Sequence, residues 1–158
     1  MSTTASSSAS DSFGIFLPGV VEERRMYDTI LIPTDGRPNT ERAIEEAIEL
    51  ARVHDASVHA LYVINSAEIA PGMDFEDLEP IGERAVDHVA TQATEAGIDD
   101  VRTTVTHGLR HQAILDYAAD HDVDLIVMGR NRGIERFFRK SVSEQVSRKA
   151  PTSVLVVE

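Results

Sequence analysis

The chain has no cysteine and no tryptophan, and only Lys140 and Lys149 of its 158 residues are lysine. Without cysteine there is no disulfide framework, no zinc–thiolate or iron–sulfur ligation and no thiol nucleophile. No apolar run approaches the ~20 residues that a transmembrane helix needs. The opening residues lack the basic segment of a secretory signal, so the expectation is a cytoplasmic protein with no membrane partner. Positive charge is scarce: 15 Lys and Arg stand against 27 Asp and Glu, a net charge of −12. That surface repels nucleic acid and anionic lipid, whose binding needs a counter-charge. An acid-rich, lysine-poor composition suits work in high salt, where screening makes self-repulsion tolerable, so the chain reads as halophilic.

Hydrophobic residues make up 42% of the chain, enough for a core of one domain. Residues 1–25 stand apart. Met1 to Ser12 is almost all Ser, Thr and Ala, too poor in apolar side chains to offset its ordering entropy. Phe13 to Val21 adds a short apolar patch around Gly14, Pro18 and Gly19. The expectation is a disordered or loosely attached leader over 1–25 and one domain over 26–158.

From Met26 onward, short apolar runs alternate with helical patterns. Tyr27–Pro33 is nearly continuous in apolar residues, as a buried parallel strand should be. Asn39 or Thr40 can cap a helix with Ile44, Ala47, Ile48 and Ala51 on one stripe. Ser57–Ile64 reads as a second strand. After an acid-rich loop over Ser66–Glu79, a helix is marked by Ile81, Ala85, Val89, Ala93 and Ala96, with Gly97 at its end. Val101, Thr103 and Val105 alternate with Arg102, Thr104 and Thr106, the signature of an edge strand. A helix over Leu109–Ala119, a buried strand over Leu125–Met128, a helix over Val142–Arg148 and a strand over Ser153–Val157 complete the series. The pattern predicts an α/β fold: an open parallel sheet with helices on both faces and any ligand beyond the carboxyl ends of the strands where their order reverses.

Two strand ends carry the candidate chemistry: Ile32-Pro33-Thr34-Asp35-Gly36 after the first, and Val127-Met128-Gly129-Arg130-Asn131-Arg132-Gly133 after the fourth. With Asp124–Gly129, the Ser-Val-Ser-Glu-Gln-Val that starts at Ser141 and the closing Pro-Thr-Ser-Val-Leu-Val-Val, their order and spacing resemble the universal stress protein family from Tyr27 to Val157. The resemblance implies five strands in the order 3-2-1-4-5, Rossmann-like, with Asp35 and Gly129 on one crevice. It implies a nucleotide site with Asp35 at the adenosine, Val63 lining the adenine pocket and a loop after the fourth strand, from Gly129 to Ser141, at the phosphates. The candidate nucleotide-binding residues are Pro33, Thr34, Asp35, Val63, Met128, Gly129, Arg132, Lys140, Ser141 and Val142, with Pro33 and Thr34 read as shaping the turn. The implied ligand is an adenine nucleotide, ATP with Mg. The resemblance also implies a homodimer paired through the last strand, 153–157.

The phosphate loop departs from the family's Gly-x2-Gly-x9-Gly-Ser/Thr. Gly129 stands at the first glycine, but Arg132 and Lys140 take the other two, and seven residues rather than nine separate them. The charge pattern bears on that loss. Residues 26–128 hold 6 Lys and Arg against 21 Asp and Glu, whereas 129–149 hold 7 against 2. These cations either hold phosphate by side chains or pair with the acidic body of the protein. Asp35 has two readings as well, ligand contact or Asx turn, and Ser141 and Ser143 read as helix caps or phosphate ligands. His107 and His111 have the spacing of a metal pair without a third ligand; the other histidines read as surface or strand-filling residues. No Ser-His-Asp order, nucleophile elbow or Walker loop occurs, and no group that positions a hydrolytic water is identifiable. The expectation is therefore a non-catalytic stress-response regulatory module. The rival is a dimeric interaction protein of the same fold without nucleotide.

Overall fold

The computed structural model describes residues 26–130 and 141–158; the expected leader lies outside them. Strands β1 (Thr29–Pro33), β2 (Ser57–Asn65), β3 (Val101–Gly108), β4 (Leu125–Gly129) and β5 (Ser153–Val157) form one parallel sheet in the order β3-β2-β1-β4-β5. Helices α1 (Glu41–His54), α2 (Phe75–Glu95), α3 (Arg110–Asp120) and α4 (Val142–Lys149) connect them. The α/β class, the strand order and the edge position of β3 are those expected.

Handedness places the helices. The path β1 to β2 to β3 moves one way across the sheet, so right-handed crossovers put α1 and α2 on one face. From β3 the chain jumps back past β1 to β4 and then β5, so α3 and α4 cover the other face. Strand side chains alternate accordingly. Ile30, Ile32, Val58, Ala60, Leu125 and Val127 pack under α1 and α2, whereas Leu31, Leu61, Val63, Ile126 and Met128 pack under α3 and α4. Complete burial of a side chain such as Ile30, Leu31 or Ile126 stabilises the fold by about 1.5–3 kcal/mol.

Several local features differ from the sequence reading. Helix α2 begins at Phe75, so the end of the expected acidic loop is helical. Asp74 and Asp77 make reciprocal side-chain-to-backbone bonds there, a capping box that starts the helix, and Pro80 lies within it. Strand β3 runs on to Gly108, where His107 stacks on Phe75 with ring centroids 4.1 Å apart. Thr40 stands at the start of α1 but does not cap it, because its hydroxyl donates to the Arg37 carbonyl at 2.8 Å. Asp124, just before β4, accepts the Asp28 and Thr29 backbone N–H groups at 2.7 and 2.9 Å and anchors the start of β1. No helix among the described residues is long and apolar enough to cross a membrane.

Candidate functional site

The strand order reverses between β1 and β4, and a crevice of about 60 Å³ opens beyond their carboxyl ends. Pro33, Thr34 and Asp35 leave β1 on one side of it, and Met128 and Gly129 close β4 on the other. Leu61 and Val63 of β2, Ile114 of α3 and Val142 of α4 give it an apolar floor. Thr40, Arg110 and Ser143 add polar groups. Of the ten residues expected at a ligand, Pro33, Thr34, Asp35, Val63, Met128, Gly129 and Val142 line this crevice. Arg132 and Lys140 lie outside the described residues.

The β1 corner is held by local bonds. The Thr34 backbone N–H donates to the Leu61 carbonyl at 2.9 Å, and the Gly36 N–H donates to Thr34 Oγ1 at 3.1 Å. Gly36 adopts φ +75°, a left-handed conformation that favours glycine. Asp35 Oδ1 accepts from the Arg37 N–H at 2.9 Å, the Asx turn of the bland reading. Its Oδ2 has no hydrogen-bond partner among the described residues, and the side chain is half-buried on the crevice wall. The turn and a ligand contact are therefore compatible, since each uses a different oxygen. Thr34 and Thr40 are both buried, with hydroxyl oxygens 3.4 Å apart.

Gly129 has a structural reason of its own. A β-carbon there would lie 2.9 Å from the Asn39 carbonyl oxygen, closer than packing allows, and in a tight 3.3 Å contact with Thr40 Cα. Ser141 caps α4, accepting the Glu144 N–H at 3.1 Å, and its Oγ sits 3.3 Å from that of the buried Ser143. Ser143, and not Ser141, is among the described residues that line the crevice. One cation of the basic segment is paired: Arg130 Nη1 lies 3.1 Å from Glu158 Oε2.

Among the described residues no group of three His, Cys, Asp or Glu side chains could hold a metal. His107 lies on β3 and His111 on α3, so their spacing falls across a strand–helix turn. His59 is a buried strand-filling residue whose Nδ1 lies 2.8 Å from Tyr117 Oη; it precedes Leu61 by two residues on β2 and does not itself line the crevice. Thr40, Leu61, Arg110 and Ile114 were not expected at the crevice. Their only sequence signal is position: each lies at a strand's carboxyl half or a helix's first turns, the level at which an α/β sheet binds ligands.

The universal stress protein family model matches residues 26–158. The chain belongs to that family. A universal stress protein of Methanocaldococcus jannaschii is 34% identical over 142 residues, covering 84% of this chain and 83% of the relative. A solved universal stress protein in complex with cAMP superposes with a TM-score of 0.67 at 25% identity, over 84% of this chain and 98% of that one. The structure of the hypothetical protein MJ0577 superposes with a TM-score of 0.72 at 28% identity, over 84% and 96%. The universal stress protein fold thus accounts for the whole described sheet, and the crevice sits at its strand-order reversal.

Proposed function

We propose that this universal stress protein is a non-catalytic regulatory module that takes an adenine nucleotide in the crevice between β1 and β4. The observation that carries the reading is the composition of the crevice: an apolar floor for a flat base, with one half-buried carboxylate beside it. Asp35 Oδ2 would accept a ribose hydroxyl, and Val63 and Met128 would contact the base. The cAMP complex of a related protein supports the ligand class. ATP is the nucleotide we propose, with Arg132, Lys140, Ser141 and Val142 towards its phosphates. Among the described residues Asp35 is the only carboxylate that lines the crevice, so Mg would ride on the phosphates rather than in a protein cage. When bound it would neutralise phosphate charge; recognition of base and ribose would remain with this chain's own residues.

The same reading makes the protein a cytoplasmic homodimer paired through β5, with 26–158 as the domain and 1–25 as a leader. Its acid-rich surface supports work in high salt. The rival, an interaction protein without nucleotide, is favoured by one observation. Packing against Asn39 accounts for Gly129 with no phosphate required. Mass spectrometry of small molecules released from natively purified protein separates the two: an adenine nucleotide at near-stoichiometric yield supports binding, and none supports the rival.

A further inference from the structure

We infer that the outer edge of β3 docks an extended segment of another protein, one that carries lysine or arginine at alternate positions and adds to the sheet as a further strand. Strand β3 pairs with β2 on one side and, among the described residues, with no strand on the other. One bond fixes the phase of its ladder: the Val58 N–H donates to the Asp100 carbonyl at 3.0 Å, while Val58 stands opposite Val101. Alternate residues of a parallel pair turn their backbone groups to the partner strand, so Val101, Thr103, Val105 and His107 turn theirs outward. The usual protections of an edge are few here. Strand β3 has no proline and no lysine, its register with β2 runs without a bulge, and its Arg102 pairs with Asp100 at 3.7 Å. Such an edge is a template for an added strand.

The open edge makes the site, and helix α2 selects the occupant. The helix lies close over the edge, which Gly82 permits: a β-carbon there would stand 2.8 Å from the Tyr62 ring and 3.0 Å from Val105 Cγ1. Between helix and strand runs a groove of about 260 Å³, lined on the strand side by Thr103, Thr104 and Val105. Glu79, Glu83 and Asp87 line it from the helix; all three are exposed and have no ion pair among the described residues. Spaced four residues apart, they repeat about every 6 Å along the helix, and alternate residues of a strand repeat about every 6.6 Å. Cations at every second position of an added strand therefore meet the carboxylates in step. A second copy does not suit, because antiparallel pairing of β3 with itself would set the same three carboxylates of each chain against one another. The leader does not suit either, since residues 1–23 hold no lysine, arginine or histidine.

The test titrates the full chain at low salt with two short peptides of lysine and threonine. One has lysine at every second position, and the other has the same lysines in a single block. The alternating peptide should bind about tenfold more tightly and slow hydrogen exchange at the Thr103 and Val105 amides. Glu79→Gln, Glu83→Gln and Asp87→Asn together should remove that preference. Thr103→Pro removes an outward N–H and no ladder bond to β2, so it should melt near wild type and bind the alternating peptide at least about tenfold more weakly. The exchange readout on wild type decides the matter even if that variant melts early. Equal binding of the two peptides, or binding of neither, overturns the proposal. So does unchanged exchange at Thr103 and Val105 with peptide bound, which marks attraction by bulk acidity alone. A wild-type dimer that Thr103→Pro splits overturns it in favour of a second copy.

Discussion

Gly129 ends β4 directly against the backbone of Asn39, and a β-carbon at Gly129 would stand 2.9 Å from the Asn39 carbonyl oxygen. The obstacle is backbone on both sides, so neither partner can swing away. Gly129→Ala should therefore push β4 from the turn before α1 and destabilise the fold by about 1–3 kcal/mol, the usual cost of overpacking. Urea unfolding measures this. A stability equal to wild type would show that the turn yields freely and that Gly129 serves the crevice alone.

The buried His59 gives a pH dependence. Burial, with the charge of Arg102 and His121 added, pushes its imidazole below the ordinary value of 6.5, and Asp100 opposes the shift in part. The unfolded chain then binds a proton before the native state does. Stability from this group is complete above about pH 6.5 and falls as pH drops towards the lowered native value. Replacement of His59 by Phe should flatten the stability profile below about pH 6.5. Tyr117→Phe should cost about 1–3 kcal/mol at neutral pH by stranding His59 Nδ1, 2.8 Å from the lost hydroxyl. An unchanged profile in the first variant would place the acid sensitivity elsewhere. Glu41 is one such group: bonds from His88 and Gln92 hold its carboxyl below 4.5, so its contribution is lost only as pH falls beneath that value.

The fold was legible to the degree that its periods were clean. The strict alternation of Val101, Thr103 and Val105 identified an edge strand, and β3 is one. The continuous run at Leu125–Met128 identified a buried strand, and β4 lies inside the sheet. Element ends read less well where a side chain overrode local preference. Pro80 and the acids before it look like a loop until the Asp74–Asp77 capping box is seen to start α2. At the crevice, β1 and β4 could be read because their motifs are contiguous. Arg110 and Thr40 could not, since neither belongs to a motif and only the fold brings the start of α3 and the turn before α1 to the crevice.

A chain beginning at Met26 should melt within about 2 °C of the full chain, because the Ser/Thr/Ala tract has too little apolar surface to offset its ordering entropy. Differential scanning calorimetry of both forms checks it. A large drop would show that Phe13–Val21 packs on the domain.

Strand β5 pairs with β4 on one side, and Val154, Leu155 and Val156 are half-exposed. Such an edge left open invites another strand, and we propose that a second copy supplies it. Leu155→Pro removes a backbone donor and should give monomer or aggregate in sedimentation. Wild type sedimenting as a monomer in high salt would contradict the dimer.

The central claim is that the crevice between β1 and β4 binds an adenine nucleotide through Asp35. Its most direct test is calorimetric titration of ATP and adenosine into wild type and Asp35→Ala at matched ionic strength. The account predicts that wild type binds both and that the substitution weakens both alike, by about tenfold or more, because the lost carboxylate contacts the part the two ligands share. Absence of binding by wild type at millimolar ATP, or binding untouched by Asp35→Ala, would contradict it.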